Sequence, residues 1–580
     1  MSHYPEDSLR AHLDHEPRPL RFGTSGRRGE VLHLTQLEIY INALADIEYL
    51  KSLPLSEGGV RPGDPFYVAY DLRPSSTRFV PEQSGRGEIA QAVVQAITDA
   101  GLRPVNLGAI PTPALMYVAL QARCGSIMIT GSHIPFDRNG FKTSTATREL
   151  LKSDEGPVAQ RVAEIRERLY RQPYRDSAFD ARGMFRSGHR DLPAVADTGR
   201  VAYRDRYLHF FGGDGQKPLK GLRLLVYQHS AVGRDLLAEI LAGLGAEAIP
   251  AGRSETFVPI DTENMDAERL ATIQSLLDDA TSVSGPIDGV VSTDGDSDRP
   301  LVLGVTSEGG VQFFPGDLVG MITAEYLGAD AVVVPISCND AIDRSALRDR
   351  LEPKTRIGSP YVIAGMEQAR ARGRQVVCGW EANGGFLLGS HLIRGNRTLT
   401  ALPTRDAVLP ILSVLLDARE RGLSLVQRFD QLPKRFGATG LLRNVPMATG
   451  QAFVARFLPP DPAVVQVERA PEGIRAYDAR SARMPITPAL AADLETCRAG
   501  LSRALAGVLL LDDIVHINYT DGVRATDARG QIVHLRPSGN ADEFRIYTVA
   551  DTAGQAQALL QACLHRVGAL LGLRPGCEVK

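Results

Sequence analysis

Long apolar runs are missing from this chain. None approaches about 18 consecutive apolar residues, so no segment reads as a membrane-spanning helix. An excess of one charge is missing too. The 65 Lys and Arg nearly cancel the 68 Asp and Glu, leaving a net charge of −3 and a pI near 6.5. Such a chain has no electrostatic footprint for nucleic acid or an anionic membrane, and any anion must be held by locally gathered Arg and Lys. Low-complexity tracts are absent, and tryptophan occurs once. The six cysteines (Cys124, Cys338, Cys378, Cys497, Cys563 and Cys577) show no metal-type pairing. Cys338 and Cys378 lie in or beside apolar runs, as buried reduced thiols do. The opening Met-Ser-His-Tyr-Pro-Glu-Asp lacks the basic-then-apolar order of a signal peptide, so a cytoplasmic location is expected.

What is present is an ordinary globular composition, 43% apolar and 23% charged, over 580 residues. That length exceeds what one hydrophobic core supports, and three or four domains are expected. Phe66–Tyr70 reads as a buried strand followed by a polar turn, Asp71-Leu-Arg-Pro-Ser75. Ile89–Ala100 has helical periodicity and stops at Gly101. Val105–Gly108 and Ser126–Thr130 read as further strands, and this alternation implies parallel βαβ units. From about 171 to 200 the pattern lapses, as in a linker or long surface loop. The rhythm restarts at Leu222–Tyr227 and continues through Ile287–Ser292, Ala331–Pro335 and Gln375–Cys378. From about 432 onward come Pro-rich loops and shorter strand-like runs such as Asp513–Asn518. The reading is three α/β units and a smaller α+β domain at the end.

Five segments carry chemistry. Ile127-Met-Ile-Thr-Gly-Ser-His-Ile-Pro-Phe-Asp-Arg-Asn-Gly-Phe-Lys142 ends an apolar run in a turn that presents Ser132 beside His133, with Lys142 ten residues on. A nucleophilic serine needs a base or a metal, and the hydrolase elbow Gly-x-Ser-x-Gly is not matched here. Taken alone, Ser132 is equally a turn former and Lys142 a surface lysine. Thr293-Asp-Gly-Asp-Ser-Asp-Arg-Pro300 sets three carboxylates at alternate positions after an apolar run. Three close carboxylates repel unless a cation is present, and hard oxygens suit Mg²⁺ or Ca²⁺. A calcium EF-hand would want Gly and Glu where Arg299 and Val305 stand, so that motif is rejected.

Gly379-Trp-Glu-Ala-Asn-Gly-Gly-Phe386 offers Glu381 and Asn383 between glycines. A carboxylate and an amide match vicinal sugar hydroxyls, and a plain hairpin turn fits as well. Leu535-Arg-Pro-Ser-Gly-Asn-Ala-Asp-Glu-Phe-Arg-Ile-Tyr547 gathers Arg536, Ser538, the Gly539 and Asn540 amides and Arg545, enough to surround a phosphate. Arg21-Phe-Gly-Thr-Ser-Gly-Arg-Arg-Gly29 is a small-residue loop with Arg27 and Arg28 able to face an anion. Alone, the first of these last two segments reads equally well as a turn between strands, and the second reads first as a surface turn.

Together and in this order, from Arg21 to Tyr547, the five segments resemble the α-D-phosphohexomutase superfamily. The resemblance implies an α/β, four-domain architecture: three mixed α/β sandwich domains plus a smaller C-terminal α+β domain around a central cleft. The corresponding boundaries are 1–200 for the phosphoserine loop, 201–306 for the metal loop, 307–431 for the sugar loop and 432–580 for the phosphate loop. It implies a catalytic Ser132 carried as phosphoserine, and Mg²⁺ on Asp294, Asp296 and Asp298 with the seryl phosphate completing the site. It implies proton transfer by Lys142, with Arg28 or His133. Arg299, Gly358 (in Gly358-Ser-Pro-Tyr-Val362), Glu381, Asn383, Arg536, Ser538, Gly539, Asn540 and Arg545 become substrate contacts. The implied reaction interconverts hexose 6-phosphate and hexose 1-phosphate, with hexose 1,6-bisphosphate as intermediate and activator. No nucleic-acid or membrane partner is expected, and the chain would act as a monomer or homodimer. Ile134 stands where the family usually has Asn. In the sugar loop Asn383 replaces Ser and Gly385 replaces His, and the phosphate loop reads Ser-Gly-Asn-Ala-Asp in place of Ser-Gly-Thr-Glu-Pro. The Gly-Trp-Glu-Ala-Asn-Gly-Gly and Ser-Gly-Asn-Ala loops look most like those of bacterial phosphomannomutases. Mannose phosphate is therefore the first expected substrate, with glucose or (N-acetyl)glucosamine phosphate as alternatives. Outside the mutases, the alternatives are a hydrolytic phosphatase and a non-catalytic sugar-phosphate-binding regulator.

Overall fold

The alternation of apolar runs and amphipathic segments resolves, in a computed structural model, into several sheets flanked by helices. The structure describes residues 4–20, 22–23, 26–263, 265–508, 514–538 and 542–573. The chain divides into two compact units. The first comprises residues 1–328 and 378–429, the second 329–377 and 430–580.

The first unit opens with a five-stranded sheet: β1 (Arg27–Glu30), β2 (Pro65–Tyr70), β3 (Arg103–Ala109), β4 (Ser126–Ile129) and β5 (Arg138–Ser144), in the order β1-β5-β4-β2-β3. Its core packs Phe66, Val68, Ile127, Ile129 and Phe141 against helices α1 (Gln36–Ser52) and α2 (Ile89–Asp99). Helix α1 starts at Thr35, whose hydroxyl accepts the Glu38 N–H, a standard N-cap. Helix α2 ends before Gly101 in the left-handed region (φ 81°), as the pattern predicts. The sheet is mixed rather than all parallel. Strand β2 pairs in parallel with β3 and β4, while β4–β5 and β5–β1 are antiparallel. The stretch between β4 and β5 is too short to hold the crossover helix a parallel return requires, so it folds back as a hairpin.

A second mixed sheet follows: β6 (Arg223–His229), β7 (Glu247–Arg253), β8 (Gly289–Thr293), β9 (Pro300–Val305) and β10 (Val311–Phe314), ordered β10-β9-β8-β6-β7. Strands β8 and β9 are an antiparallel hairpin, and the aspartate cluster is the loop between them. A third ladder joins β11 (Val377–Trp380), β12 (Phe386–Leu388) and β13 (Leu402–Asp406), all antiparallel, with Trp380 opposite Phe386 and Phe386 opposite Asp406. Every residue of β4, β8, β11 and β12 is buried, which explains why charged side chains are absent from all four. The segment 171–200 is not a bare linker. Phe179, Met184 and Phe185 are buried, and the Phe185 N–H donates to Gln36 Oε1 (2.8 Å) at the start of α1. Three apolar anchors among charges escape a periodicity search.

The second unit contains the strand Ala331–Val333, the helix Ser359–Ala371 and an eight-stranded antiparallel sheet. The sheet strands are β14 (Phe436–Arg443), β15 (Gln466–Ala470), β16 (Gly473–Tyr477), β17 (Arg483–Met484), β18 (Ile514–Asn518), β19 (Val523–Asp527), β20 (Ile532–Pro537) and β21 (Glu543–Ala550). Their order is β14-β21-β20-β19-β18-β15-β16-β17. The C-terminal helix Ala553–Leu570 buries Leu559, Leu560, Cys563, Leu564 and Val567 against it. Among the described residues, no helix is long and apolar enough to cross a membrane.

Candidate active site

Ser132 lies in the hairpin turn after β4. Its φ of 54° is in the left-handed region, a conformation that costs a non-glycine residue about 1 kcal/mol or more. The surroundings hold it there. The Ser132 N–H donates to Thr130 Oγ1 (2.7 Å), and the Thr130 hydroxyl donates to Asp71 Oδ2 (2.8 Å). Arg73 is fully buried and donates to the carbonyls of Ser132 (2.8 Å), Ile134 (2.5 Å), Pro135 (2.6 Å) and Arg138 (2.8 Å). Its Nε reaches Asp71 Oδ2 at 3.2 Å. Asp71 and Arg73 stand in the polar turn after β2. They were legible there as a turn but not as the frame of the serine loop.

The result of this bracing is the position of one oxygen. Ser132 Oγ donates to Asp294 Oδ2 at 2.8 Å, although the residues are 162 positions apart. Asp294, Asp296 and Asp298 are fully buried, and one carboxylate oxygen from each lies within 4.8 Å of the others. The loop's own amides shape the cluster, since the Asp298 and Arg299 N–H groups donate to Asp294 Oδ1 (3.1 and 3.3 Å). Gly295 is glycine because a Cβ there would stand 2.7 Å from the Ser132 carbonyl oxygen. Burial, reinforced by Asp296 and Asp298, pushes the Asp294 carboxyl well above the usual carboxylate range. Burial acts on Asp296 in the same sense, but Lys142 at 2.8 Å and the Thr112 hydroxyl at 2.7 Å outweigh it and hold that carboxyl below its ordinary value. Asp296 Oδ1 and Asp298 Oδ1 are buried without a hydrogen-bond partner. Three hard carboxylates close together, two of them with an oxygen that has no hydrogen-bond partner, fit a divalent metal ion.

Four cations face the trio. Lys142 Nζ bridges Asp296 Oδ2 and Asp298 Oδ2 (2.8 and 3.1 Å). Arg28 sits on β1, directly opposite Gly140 on β5, two residues before Lys142. This pairing unites two motifs more than a hundred residues apart. Burial, then the nearby Arg299, brings the Arg28 guanidinium down to about 10, and its Nε is buried without a partner. Arg299 Nη1 donates to His133 Nδ1 (2.9 Å), and its Nε lies 3.6 Å from Asp298 Oδ1. Arg299 and burial together drive the His133 imidazole down to about 2, so it is neutral at any physiological pH. Ser132 Oγ is 3.4 Å from the same His133 nitrogen. The fourth cation, Arg405, was not singled out in the sequence. It stands on β13 with Nε 3.0 Å from Asp298 Oδ2 and Nη1 3.3 Å from Glu381 Oε2.

Glu381 and Asn383 occupy the β11–β12 turn. Asn383 Oδ1 accepts the Gly385 N–H (3.0 Å) and its carbonyl accepts the Thr262 hydroxyl (2.8 Å), so the turn is fastened from within and from outside. Glu381 is buried, and its carboxylate meets Arg405. The first unit thus gathers Ser132, His133, Lys142, Arg28, Arg299, Asp294, Asp296, Asp298 and Glu381 around shared contacts.

The second unit holds the other expected residues. Gly358, at φ 129°, precedes the helix Ser359–Ala371. Asp521 accepts the Ile357 N–H (3.0 Å) and Arg536 Nε (3.0 Å), which links the Gly358 turn to the phosphate segment. Arg536 on β20 lies directly opposite Arg545 on β21, and Ser538 follows with its N–H donating to the Glu543 carbonyl (3.0 Å). Gly539 and Asn540 lie outside the described residues, as do Arg21, Thr24 and Ser25 of the first motif.

A multidomain mixed α/β chain with a strained buried serine on a carboxylate trio, and a separate two-arginine turn, defines a class: phosphoryl-transfer enzymes that act on a phosphorylated substrate. Comparison with known proteins narrows it. The profile of phosphoglucomutase/phosphomannomutase alpha/beta/alpha domain I matches residues 19–169, and that of domain III matches residues 315–436. A phosphomannomutase of Sinorhizobium fredii is 37% identical over 542 residues, 93% of this chain and 97% of its own. A phosphomannomutase of Salmonella muenchen is 31% identical over 554 residues, 95% of this chain and 96% of its own. Among solved structures, a phosphoglucomutase/phosphomannomutase family protein from Burkholderia thailandensis superimposes with a TM-score of 0.61 at 17% identity, over 96% of this chain and 98% of its own. The chain belongs to the phosphoglucomutase/phosphomannomutase family.

Proposed function

We propose that this protein is a phosphomannomutase, which interconverts mannose 6-phosphate and mannose 1-phosphate through phospho-Ser132 and a hexose 1,6-bisphosphate. The observation that carries the reading is the 2.8 Å contact between Ser132 Oγ and Asp294 within the buried trio. The Ser132 phosphate passes to a free hydroxyl of the hexose phosphate. The O–P bond to serine breaks as the new O–P bond forms, and the hydroxyl proton is assigned to Lys142 once the amine has given up its own proton and is neutral. Asp294, Asp296 and Asp298, with the seryl phosphate, would hold Mg²⁺. When bound, that ion supplies charge neutralisation for the moving phosphoryl group. Arg28 and Arg299 add fixed positive charge on the same side. His133, kept neutral with its Nδ1 lone pair engaged by Arg299, positions rather than carries the proton. The bisphosphate then turns over and returns its other phosphate to Ser132.

The reading assigns the non-reacting phosphate to Arg536, Ser538, Gly539, Asn540 and Arg545. Arg536 and Arg545 face each other across the ladder, each with a carboxylate neighbour of its own (Asp521 at 3.0 Å, Glu543 at 3.6 Å), and the paired guanidinium groups suit a phosphate dianion. Glu381, Asn383 and Gly358 are assigned to the sugar. Burial of the serine and its partners keeps water from the phosphoserine, which separates a mutase from a phosphatase. The reading includes the four-domain division at 200, 306 and 431, a cytoplasmic monomer or homodimer, and hexose 1,6-bisphosphate as activator.

The test is direct. The wild-type protein incubated with hexose 1,6-bisphosphate and Mg²⁺ gains the mass of one phosphate, and Ser132→Ala gains none and loses turnover. Coupled assays with mannose, glucose and N-acetylglucosamine 1-phosphates rank the substrates, with mannose expected first. Near-normal turnover by Ser132→Ala refutes the mechanism, and preference for another sugar refutes the substrate.

A further inference from the structure

Arg405 is the described side chain that touches both the metal carboxylates and the sugar turn. It is buried on β13, with Nε on Asp298 Oδ2 (3.0 Å) and Nη1 on Glu381 Oε2 (3.3 Å). One rigid, planar guanidinium therefore fixes the distance between two carboxylates with different tasks. The space it occupies is made by Gly385. A Cβ at position 385 would stand 2.5 Å from Arg405 Cδ and 2.7 Å from its Cγ. Gly385 is not among the glycines with positive φ, so crowding selects glycine there: first the Arg405 stem, then Asn383 Oδ1, which a Cβ would meet at 3.1 Å. The neighbouring Gly384, by contrast, has φ 84° and is required by its conformation.

We infer that Arg405 is a positioning and specificity-determining residue, a strut that holds Glu381 at a set distance from the metal carboxylates, and that position 385 is glycine to admit it. The inference deepens the proposed function and rests on it for the identity of the sugar. Hexose phosphates that differ in the orientation of one hydroxyl are told apart only if the acceptor reading that hydroxyl cannot move. With Arg405 in place the Glu381 carboxylate has one position. Without it, Glu381 swings, and epimers are read alike. Arg405 also shares Asp298 with the cation site, so it opposes metal binding electrostatically while it supports sugar binding. Those opposite signs distinguish a strut from a residue that merely stabilises the fold, whose loss weakens both.

The experiment uses the full chain. Calorimetric titration with MgCl₂ alone, and steady-state kinetics on mannose and glucose 1-phosphates, are run on wild type, Arg405→Ala, Arg405→Lys, Gly385→Ala and the Gly385→Ala/Arg405→Ala double variant. For Arg405→Ala we expect a KM for the preferred sugar phosphate raised about tenfold or more, a selectivity ratio contracted toward one, and Mg²⁺ bound several-fold tighter. Arg405→Lys restores the charge and hence wild-type Mg²⁺ affinity, but not the two-pronged fork, so KM and selectivity stay impaired. Gly385→Ala reproduces the loss of selectivity, and adds little in the Arg405→Ala background, where the stem it displaces is already gone and only the 3.1 Å approach to Asn383 Oδ1 remains. KM and selectivity within twofold of wild type in Arg405→Ala overturns the inference. So does weaker Mg²⁺ binding in that variant, or additivity in the double variant. If Arg405→Ala does not fold, Gly385→Ala carries the test by itself. Absence of turnover in the wild type would refute the mutase reading instead, and the Mg²⁺ titrations would still report on the tie to Asp298.

Discussion

A single buried arginine decides whether the serine loop has a shape. The carbonyls of Ser132, Ile134, Pro135 and Arg138 all point at Arg73, which also pairs with Asp71 and stacks 3.9 Å from the Phe257 ring. Removing it takes the donor from four carbonyls and the cation from the buried Asp71 carboxylate, to which Ser76, Thr130 and the Gly131 amide still donate. Arg73→Met is therefore expected to cost about 3–5 kcal/mol in urea denaturation, the range for breaking a buried ion pair. It should also lower kcat, because Ser132 leaves its left-handed position. Arg73→Lys recovers the charge and little of the geometry, since one ammonium cannot serve four diverging acceptors. A loss under 1 kcal/mol for Arg73→Met would show the loop to be self-supporting. This frame marks the limit of what a single sequence discloses. The three aspartates stood out by their own spacing, while Ser132 and Lys142 were singled out because five short motifs follow one order along the chain. Asp71, Arg73, Thr112 and Arg405 act across separations of 24 to 184 positions, and nothing in their local pattern sets them apart from ordinary turn and strand-end residues.

At the level of elements, apolar runs ending in polar turns were read correctly as strands, and the loops that follow them carry the candidate residues. The direction of the returning strand was not. A run such as Ser126–Ile129 looks the same whether its partner is parallel or antiparallel, and only the shortness of the following loop selects the hairpin. Strand β6 illustrates a second property hidden in a sequence. His229, at its end, is fully buried, with Nε2 2.8 Å from the Thr293 carbonyl beside the aspartate loop and Nδ1 without a partner. Burial lowers its pKa from 6.5 to about 4. The unfolded chain then binds a proton that the folded chain refuses between those values, so stability is full above pH 6.5 and falls as the pH drops toward 4. From pH 7 to pH 5 the wild type is expected to lose about 2 kcal/mol more than His229→Gln, which keeps a donor for Thr293 and cannot titrate. Urea midpoints at the two pH values measure this, and parallel losses in both proteins would exclude His229 as the titrating group. His516 and His534 of the second unit, also lowered to about 4 by burial, act in the same sense and set the background slope.

For the whole molecule the decisive fact is the unequal distribution of charge. A net charge of −3 over 580 residues gives no general attraction for cations, yet three carboxylates converge within 4.8 Å inside the first unit. Metal binding is therefore a local event with a large stabilising effect on its surroundings, since an ion bound by the folded state alone adds about 2.7 kcal/mol at a concentration 100 times its Kd. Hydrogen exchange followed by peptide mass spectrometry separates the loops that should respond from those that should not. Addition of Mg²⁺ is expected to slow exchange in peptides covering 126–144 and 289–305, which carry Ser132, Lys142 and the aspartates, and EDTA to reverse it. Peptides covering 514–538, which contain Arg536 and no carboxylate cluster, serve as the reference and should be unchanged by Mg²⁺ alone. Asp296→Asn removes one ligand charge and one of the two carboxylates that Lys142 bridges, and should abolish the protection while the reference peptides exchange as before. Equal slowing in both sets would mean that the ion acts on the chain generally, and no slowing in either would mean that Lys142, Arg299 and Arg405 already satisfy the carboxylates so well that a divalent ion has no place among them.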